Sequence, residues 1–316
     1  MTKRLVLIDG NAILHRAYHA LPPLTTRSGE LVNAVYGFAS MLFKIFSDLH
    51  PDYLAVAFDT AGPTARHQEY IGYKANRPQV DSELVGQIER VHELVKAFNI
   101  PILEIQGYEA DDIIATVVKQ MAKAKSLEII IVTGDKDLLQ IVSERTKLYM
   151  PARGLSEGQI IGVAEVKEKI GVLPEQIIDY KGLAGDLADN YPGVPGIGPK
   201  TAIKLLEKFG SIEEIYKKIG DIRDVGNFGG ETTVKKLAEG VESAVLSKKL
   251  ATILTDVPIK LNLEDCVARD FDKEKVLKLF KDLGFRSLAG RLEGGKERKE
   301  QKEKKDCEDK RQGTLF

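Results

Sequence analysis

The chain has 316 residues, 43% of them hydrophobic, and its 46 Lys and Arg against 47 Asp and Glu give a net charge of −1. That balance excludes a uniformly basic nucleic-acid coat, and the length suits one large domain or two smaller ones with a substantial buried core. The two cysteines, Cys266 and Cys307, form no C-x-x-C pair, which argues against a disulfide scaffold or a thiolate metal centre and fits a reducing cytoplasm.

The first apolar run, Leu5 to Ile8, stops at Asp9. No stretch approaches the ~20 apolar residues of a membrane span, so no membrane partner is expected. Three further strand-length apolar runs follow at Leu54–Phe58, Ile102–Ile105 and Ile129–Val132. Between them lie helical patterns over Asn33–Leu49, Ser82–Phe98 and Ala110–Lys123. The β-α-β alternation predicts an α/β fold with a mostly parallel central sheet flanked by helices, in which ligands bind beyond the carboxyl ends of the strands. From about Glu175 the pattern changes to short helices broken by glycines, centred on "PGVPGIGPKTAIKLLEKFGSIEEIY". Ala251–Leu261 and Lys275–Leu283 are expected to return to the first unit. After Gly294-Gly295 comes "KERKEQKEKKDCEDKR", with eight basic and six acidic residues and no apolar face, which predicts a solvated tail.

Acidic residues gather at the strand ends. Asp9 follows the first strand, Asp59 ends the second, and Asp135 with Asp137 follows the fourth, while the helix after the third opens on Glu109, Asp111 and Asp112. Each has an ordinary reading as a cap or turn residue. Together they aim at one crevice, where unit charges ~4 Å apart repel by ~4 kcal/mol at an effective dielectric of ~20. With no His or Cys beside them, hard oxygen ligands point to Mg²⁺ or Mn²⁺, and their number suits a two-metal site for phosphodiester hydrolysis. A second acidic pair, Asp186 and Asp189 in "GDLADN", precedes the glycine-rich stretch.

"GVPGIGPKT" fails the P-loop pattern because Pro199 separates Gly198 from Lys200. It reads better as a hairpin between helices, in which backbone N–H groups around Gly196 and Gly198, Lys200 and the helix start at Thr201 hold a duplex phosphate. "RHQEYIGYKANRP" interleaves Arg66, Lys74 and Arg77 with Tyr70 and Tyr73, the cation-and-ring mixture that suits single-stranded nucleic acid. His15 and His19 share i,i+4 spacing, but Arg16 stands where a zinc-protease motif has its Glu, which sets zinc aside.

The motifs "LIDGNAILHRAYHALP", "NAVYGF", "AFDTAGPTARHQEYIGYKANRP", "GYEADDIIAT", "VTGDKDLLQ" and "GDLADNYPGVPGIGPKTA" together resemble the 5′ nuclease domain of bacterial DNA polymerase I, within the flap endonuclease superfamily. The resemblance spans about Leu5 to Arg291. It implies a PIN-like nuclease core over 1–175 with a helical arch at about 62–100, a helix-hairpin-helix subdomain over 176–255, a segment over 256–293 packing back on the core, and a tail over 294–316. It implies two Mg²⁺ ions, replaceable by Mn²⁺, held by Asp9, Asp59, Glu109, Asp111 and Asp112 on one side and by Asp135, Asp137, Asp186 and Asp189 on the other. Lys74 and Arg77 match residues that touch the scissile phosphate, with Arg66 on the same gateway. Tyr73 is expected on the DNA side. His15 stands where many relatives carry a tyrosine that stacks on a base, and imidazole can also stack. Gly196, Gly198, Lys200 and Thr201 match the hairpin that holds duplex DNA, often with K⁺.

The resemblance therefore implies a monomeric, stand-alone 5′-3′ exonuclease and flap endonuclease, cytoplasmic and nucleoid-associated, working on branched or nicked DNA in replication and repair. A catalytically silent DNA-binding paralogue and a small ribonuclease are the alternatives. The final "QGTLF" resembles the pentapeptide that binds the bacterial sliding clamp, with Gln312, Leu315 and Phe316 as anchors.

Overall fold

The computed structural model describes residues 2–124, 126–151, 158–224 and 230–294. The tail with Gln312, Leu315 and Phe316 lies outside them. Among the described residues no helix is long and apolar enough to cross a membrane.

The described strands are β1 (Lys3–Asp9), β2 (Tyr53–Ala57), β3 (Ile102–Leu103), β4 (Leu127–Val132), β5 (Thr146–Pro151) and β6 (Gly158–Ile161). They form one sheet in the order β3-β2-β1-β4-β5-β6, with every pairing parallel except β5 with β6. The expected parallel sheet is present, extended by two strands that the sequence reading did not contain. β5 carries Lys147 and ends in Pro151, and the edge strand β6 is exposed over Gly158 to Ile160, so neither presents the uninterrupted apolar run of a doubly covered strand. β3 is two residues long, not four.

Alternation along the strands builds two cores. Leu5, Leu7, Ala55, Ile129 and Ile131 face one side, with α5 (Ala110–Met121) and residues of the second half such as Leu183, Leu205 and Leu237. Val6, Ile8, Val56, Ile130 and Val132 face the other, against α1 (Gly10–Ala20), α2 (Asn33–Asp48), α4 (Ser82–Ala97) and α12 (Lys273–Asp282). The short α3 (Ala65–Glu69) and a turn over 71–77 lie between β2 and α4.

After β6 come α6 (Val163–Ile170), α7 (Ile177–Ala184), α8 (Pro199–Phe209), α9 (Ile212–Lys217), α10 (Glu231–Glu239) and α11 (Val241–Ala251). The chain then runs back along α5. The backbone N–H of Leu254 donates to Asp112 at 2.8 Å, and that of Val257 to Thr116 at 3.2 Å.

Register brings the acids to one edge. β1 pairs Asp9 with Ala57 on one side and Ile8 with Val132 on the other. Asp59 and Asp135, following β2 and β4, therefore leave the sheet beside Asp9.

Candidate functional site

Asp9 is 4% exposed and caps α1. One carboxylate oxygen accepts from the Ala12 N–H at 3.0 Å and the other from the Thr133 hydroxyl at 2.7 Å. Thr133 also accepts from the Asp135 N–H at 2.9 Å, so one buried hydroxyl ties the ends of β1 and β4 together. Asp59 accepts from the Ala110 N–H at 2.6 Å, which joins the end of β2 to the first turn of α5.

Asp9, Asp59, Glu109, Asp111 and Asp135 line one cavity of about 590 Å³, together with His15, Lys74 and Arg77. Burial, then the neighbouring Asp135 and Asp59, pushes the Asp9 carboxyl up to about 7 despite its two hydrogen bonds. Burial, then Asp135, Asp9 and Asp137, raises Asp111 well above the usual carboxylate range. Asp59 is raised too, by burial, against the pull of Ala110 N–H and Lys74. These acids repel one another, and hard carboxylate oxygens under such repulsion fit a divalent cation.

A second cavity, about 800 Å³, is lined by Asp135, Asp137, Lys181 and Asp186. Gly134 and Asp135 border both spaces. Here a cation is built in: Lys181 of α7, 7% exposed, forms ion pairs with Asp137 and, at 2.7 Å, with Asp186. Burial works against its charge, but the two acids and Tyr191 outweigh that and raise the ammonium. Asp186 is half-buried, which works to raise it, yet it is held below the ordinary range by Lys181 and by N–H groups of Ala188 and Asp189. Asp137 ends at about 6, burial outweighing Lys181. Sequence reading missed Lys181, since its partner Asp137 is 44 residues away and nothing local marks the pair.

The remaining expected residues divide differently. Asp112 lines neither cavity: Arg66 grips it at 2.7 and 2.9 Å, and Leu254 N–H takes a further lone pair. Arg66, expected on the gateway beside Lys74 and Arg77, is 8% exposed and spends its donors on Glu109, Asp112 and the carbonyls of Leu250 and Thr252. It is a buried strut between α3, α5 and the end of α11. Tyr73, expected on the DNA side, is 4% exposed, its ring set edge-on to His67 and its hydroxyl donating to Glu109 at 3.1 Å, so no base can stack on it. A run of alternating rings and cations looks the same on a solvated face and on one folded inward.

Lys74 pairs with Glu109 at 3.0 Å and Arg77 with Asp189 at 2.5 Å. Among the described residues no three acids stand in ready ligand geometry about one point. The turn carrying Lys74 and Arg77 is latched to the loop carrying Asp186 and Asp189. Lys74 N–H donates to Asp189 O at 2.9 Å, Asn76 to Leu187 O at 2.6 Å and Asn190 to Gly72 O at 2.7 Å. Lys74 itself is left-handed at φ 55°, a conformation this latch supports.

The neck of the 186–192 loop is closed by backbone pairing of Asp186 with Tyr191 at 3.0 and 3.1 Å. A Cβ on Gly185 (φ 73°) would lie 2.6 Å from Pro192 O, and one on Gly193 (φ 63°) would strike the Gly185 backbone. Beyond it, Gly196 (φ 79°) and Gly198 turn the chain into α8, with Ile197 buried between them and Lys200 exposed beside Thr201. Pro199 at the start of α8 borders the second cavity, which puts the hairpin next to the acids.

Comparison with known proteins identifies the architecture. Residues 4–171 match the family model described as 5′-3′ exonuclease, N-terminal resolvase-like domain, and 172–274 match 5′-3′ exonuclease, C-terminal SAM fold. DNA polymerase I of Bacillus caldotenax is 43% identical over 93% of this chain and 33% of its own length. That of Caldicellulosiruptor bescii is 44% identical over 92% and 33%. The chain thus spans about a third of the length of the curated relatives it matches. Among solved structures, T5 D15 protein co-crystallized with metal ions superposes with a TM-score of 0.64 at 21% identity, over 91% of this chain and 100% of that one. The catalytic core of Rad2 in complex with DNA substrate gives 0.56 at 16% identity, over 92% and 90%. With both of its family models matched in order along one continuous fold, the chain belongs to the 5′-3′ exonuclease family.

Proposed function

We propose that the protein is a metal-dependent 5′-3′ exonuclease and flap endonuclease that hydrolyses phosphodiesters of DNA and primer RNA near 5′ ends and flap junctions, in replication and repair. The carrying observation is the crevice at the ends of β1, β2 and β4, where Asp9, Asp59, Asp111 and Asp135 crowd together opposite Lys74 and Arg77. Two divalent ions, Mg²⁺ or Mn²⁺, would be held there by these carboxylates and would supply Lewis-acid activation of water and of the leaving oxygen.

The chain's own groups do the rest. Asp9, Asp59, Asp111 and Asp135 offer oxygens on one side, and Asp137, Asp186 and Asp189 on the other once Lys181 and Arg77 release them. Glu109 joins the first group when Lys74 turns to the substrate. Lys74 and Arg77 then neutralise the phosphate, in the way preorganised cations stabilise developing charge. Arg66 positions Glu109 and Asp112 and touches no substrate. His15, in the wall beside Asp59, faces a flanking nucleotide. Gly196, Gly198, Lys200 and Thr201 hold the duplex backbone, and this hairpin would also hold a K⁺ ion. The segment 62–100 acts as the arch around the 5′ strand.

The support is the coincidence of an acidic crevice, cations beside it and a glycine hairpin next to it, in a chain that is 43–44% identical to DNA polymerase I relatives over the aligned residues. The test uses 5′-labelled flap DNA, blunt duplex and single-stranded RNA, each with Mg²⁺ or EDTA. Mg²⁺-dependent cutting at the flap junction is expected. Tight flap binding without cutting would instead identify a silent DNA-binding paralogue, and preference for the RNA a small ribonuclease. The terminal QGTLF is proposed to engage the sliding clamp. Deleting Gln312 to Phe316 is expected to weaken clamp pull-down and leave turnover on a short flap unchanged.

A further inference from the structure

The hairpin that leads into α8 carries a tethered cation of its own. Lys236 of α10 lies 40 residues beyond Gly196, and its ammonium donates to the Gly196 carbonyl at 3.1 Å. The lysine stem lies across the glycine: a Cβ on Gly196 would come within 2.9 Å of Lys236 Cε and 3.2 Å of its Cδ. Gly196 is left-handed at φ 79°, so the missing side chain serves both the turn and the close approach of the lysine. The neighbouring Lys235 follows the ordinary helical course and pairs with Glu239 at 3.8 Å, four residues on. Lys236 turns to a backbone carbonyl instead.

The helix end that presents Lys236 is fixed against the hairpin. Leu237 is fully buried, and the Gly240 N–H donates to the Lys236 carbonyl at 2.9 Å. A Cβ on Gly240 would lie 2.7 Å from Val194 Cγ1 and 3.4 Å from Pro195 Cδ, so the end of α10 rests on the two residues that lead into Gly196. Gly196, Gly198 and Lys200 are exposed. An exposed peptide oxygen carries partial negative charge and opposes a phosphate that approaches the hairpin N–H groups. A cation seated on that oxygen reverses the sign. An ammonium has three N–H donors, of which the carbonyl takes one.

Resting on the function proposed above, we infer that Lys236 is the resident cation of the hairpin, its ammonium bridging the Gly196 carbonyl to a phosphate of bound duplex. A K⁺ ion reaches that oxygen only in exchange for the ammonium. A dissolved ion must be captured from solution, whereas a side chain on a packed helix is at hand at every salt composition. Duplex binding by this chain is therefore indifferent to which monovalent cation is present. The contact is to the backbone and carries no sequence preference.

The experiment measures binding of blunt duplex DNA in EDTA, in KCl, NaCl or tetramethylammonium chloride at equal concentration, for the wild type, Lys236→Met and Lys235→Met. Methionine at 236 keeps an unbranched stem over Gly196 without the charge, and its melting temperature is expected to match the wild type. Wild-type Kd should be the same in the three salts. Lys236→Met is expected to bind about tenfold more weakly in NaCl and tetramethylammonium chloride, with K⁺ restoring most of the loss by entering the vacated place. Its slope of log Kd against log salt in NaCl should be shallower by about one. Lys235→Met should behave as the wild type. K⁺-dependent binding by the wild type would overturn the inference, as would unchanged affinity and slope in Lys236→Met. Equal weakening in all three salts would overturn it too, because the lysine would then be shaping the hairpin rather than supplying a cation. A wild type that binds duplex with K⁺ dependence leaves the proposed function standing and removes only Lys236. If the wild type binds no duplex in any salt and cuts no flap in Mg²⁺, the proposed function falls, and this contact with it.

Discussion

The two halves of the crevice use the same residue type in opposite electrostatic states. Around Asp9 and Asp111 burial and neighbouring acids dominate, and both carboxyls are raised well above the usual range. Around Asp186 the nearest charge is the Lys181 ammonium, and that carboxyl is pulled down instead. An isolated acidic cluster must bind a cation or a proton, and a cluster with a tethered ammonium already has a cation. The first half is thus open to an external ion, and the second must exchange an internal one for it.

The largest test of that difference is removal of the acid that borders both halves. Asp135→Ala is expected to lower Mg²⁺-dependent flap cleavage by at least about 100-fold while junction binding persists. Asp186→Ala should also abolish most turnover. Undiminished turnover in either, measured by single-turnover cleavage, would remove that acid from the reaction.

A smaller effect comes from making the second half resemble the first. Lys181→Met leaves Asp137 and Asp186 without their ammonium, and Mn²⁺ titrated into the DNA-free protein is expected to bind about tenfold more tightly at its weaker site. Stability in EDTA should fall at the same time. Unchanged Mn²⁺ affinity would mean that Lys181 does not compete for that position.

The smallest effect is on stability. A carboxyl raised in the folded state binds its proton more tightly than in the unfolded chain, so the fold loses stability in EDTA as pH climbs from about 4 to about 7. Asp111→Asn removes one of the crowded charges. It is expected to stabilise the metal-free protein at pH 8 by on the order of 1 kcal/mol, with the gain vanishing near pH 4. Urea melts at the two pH values measure this, and an equal gain at both would assign it to packing rather than charge.

Much of this contrast was written in the sequence, but unevenly. Asp9 and Asp59 terminate apolar runs, so their place at strand ends was legible locally, and parallel pairing then dictates a shared edge. Asp112 was legible as a first-turn acid, yet only the fold reveals that Arg66 consumes it. Tyr73 was expected at the DNA and Arg66 on the gateway beside Lys74 and Arg77 because alternation of rings and cations carries no information about which way a turn folds. Lys181 was invisible for a related reason: in α7 it sits among Ile177, Tyr180 and Leu183 as an ordinary helical lysine, and its meaning depends on Asp137, which arrives from another part of the chain. β5 and β6 lacked the apolar continuity by which the inner strands could be recognised.

The pinched neck at Gly185 and Gly193 divides the loop between them into parts with different freedom to change. The neck residues contribute no functional group, yet any side chain there would force the backbone apart and swing Asp186 and Asp189 away from their partners. Leu187 and Ala188, at the tip, are exposed, and Ala188 holds Asp186 through its backbone N–H rather than its side chain. The loop is therefore a fixed clasp with an interchangeable tip. An engineer varying the tip would hold both glycines constant.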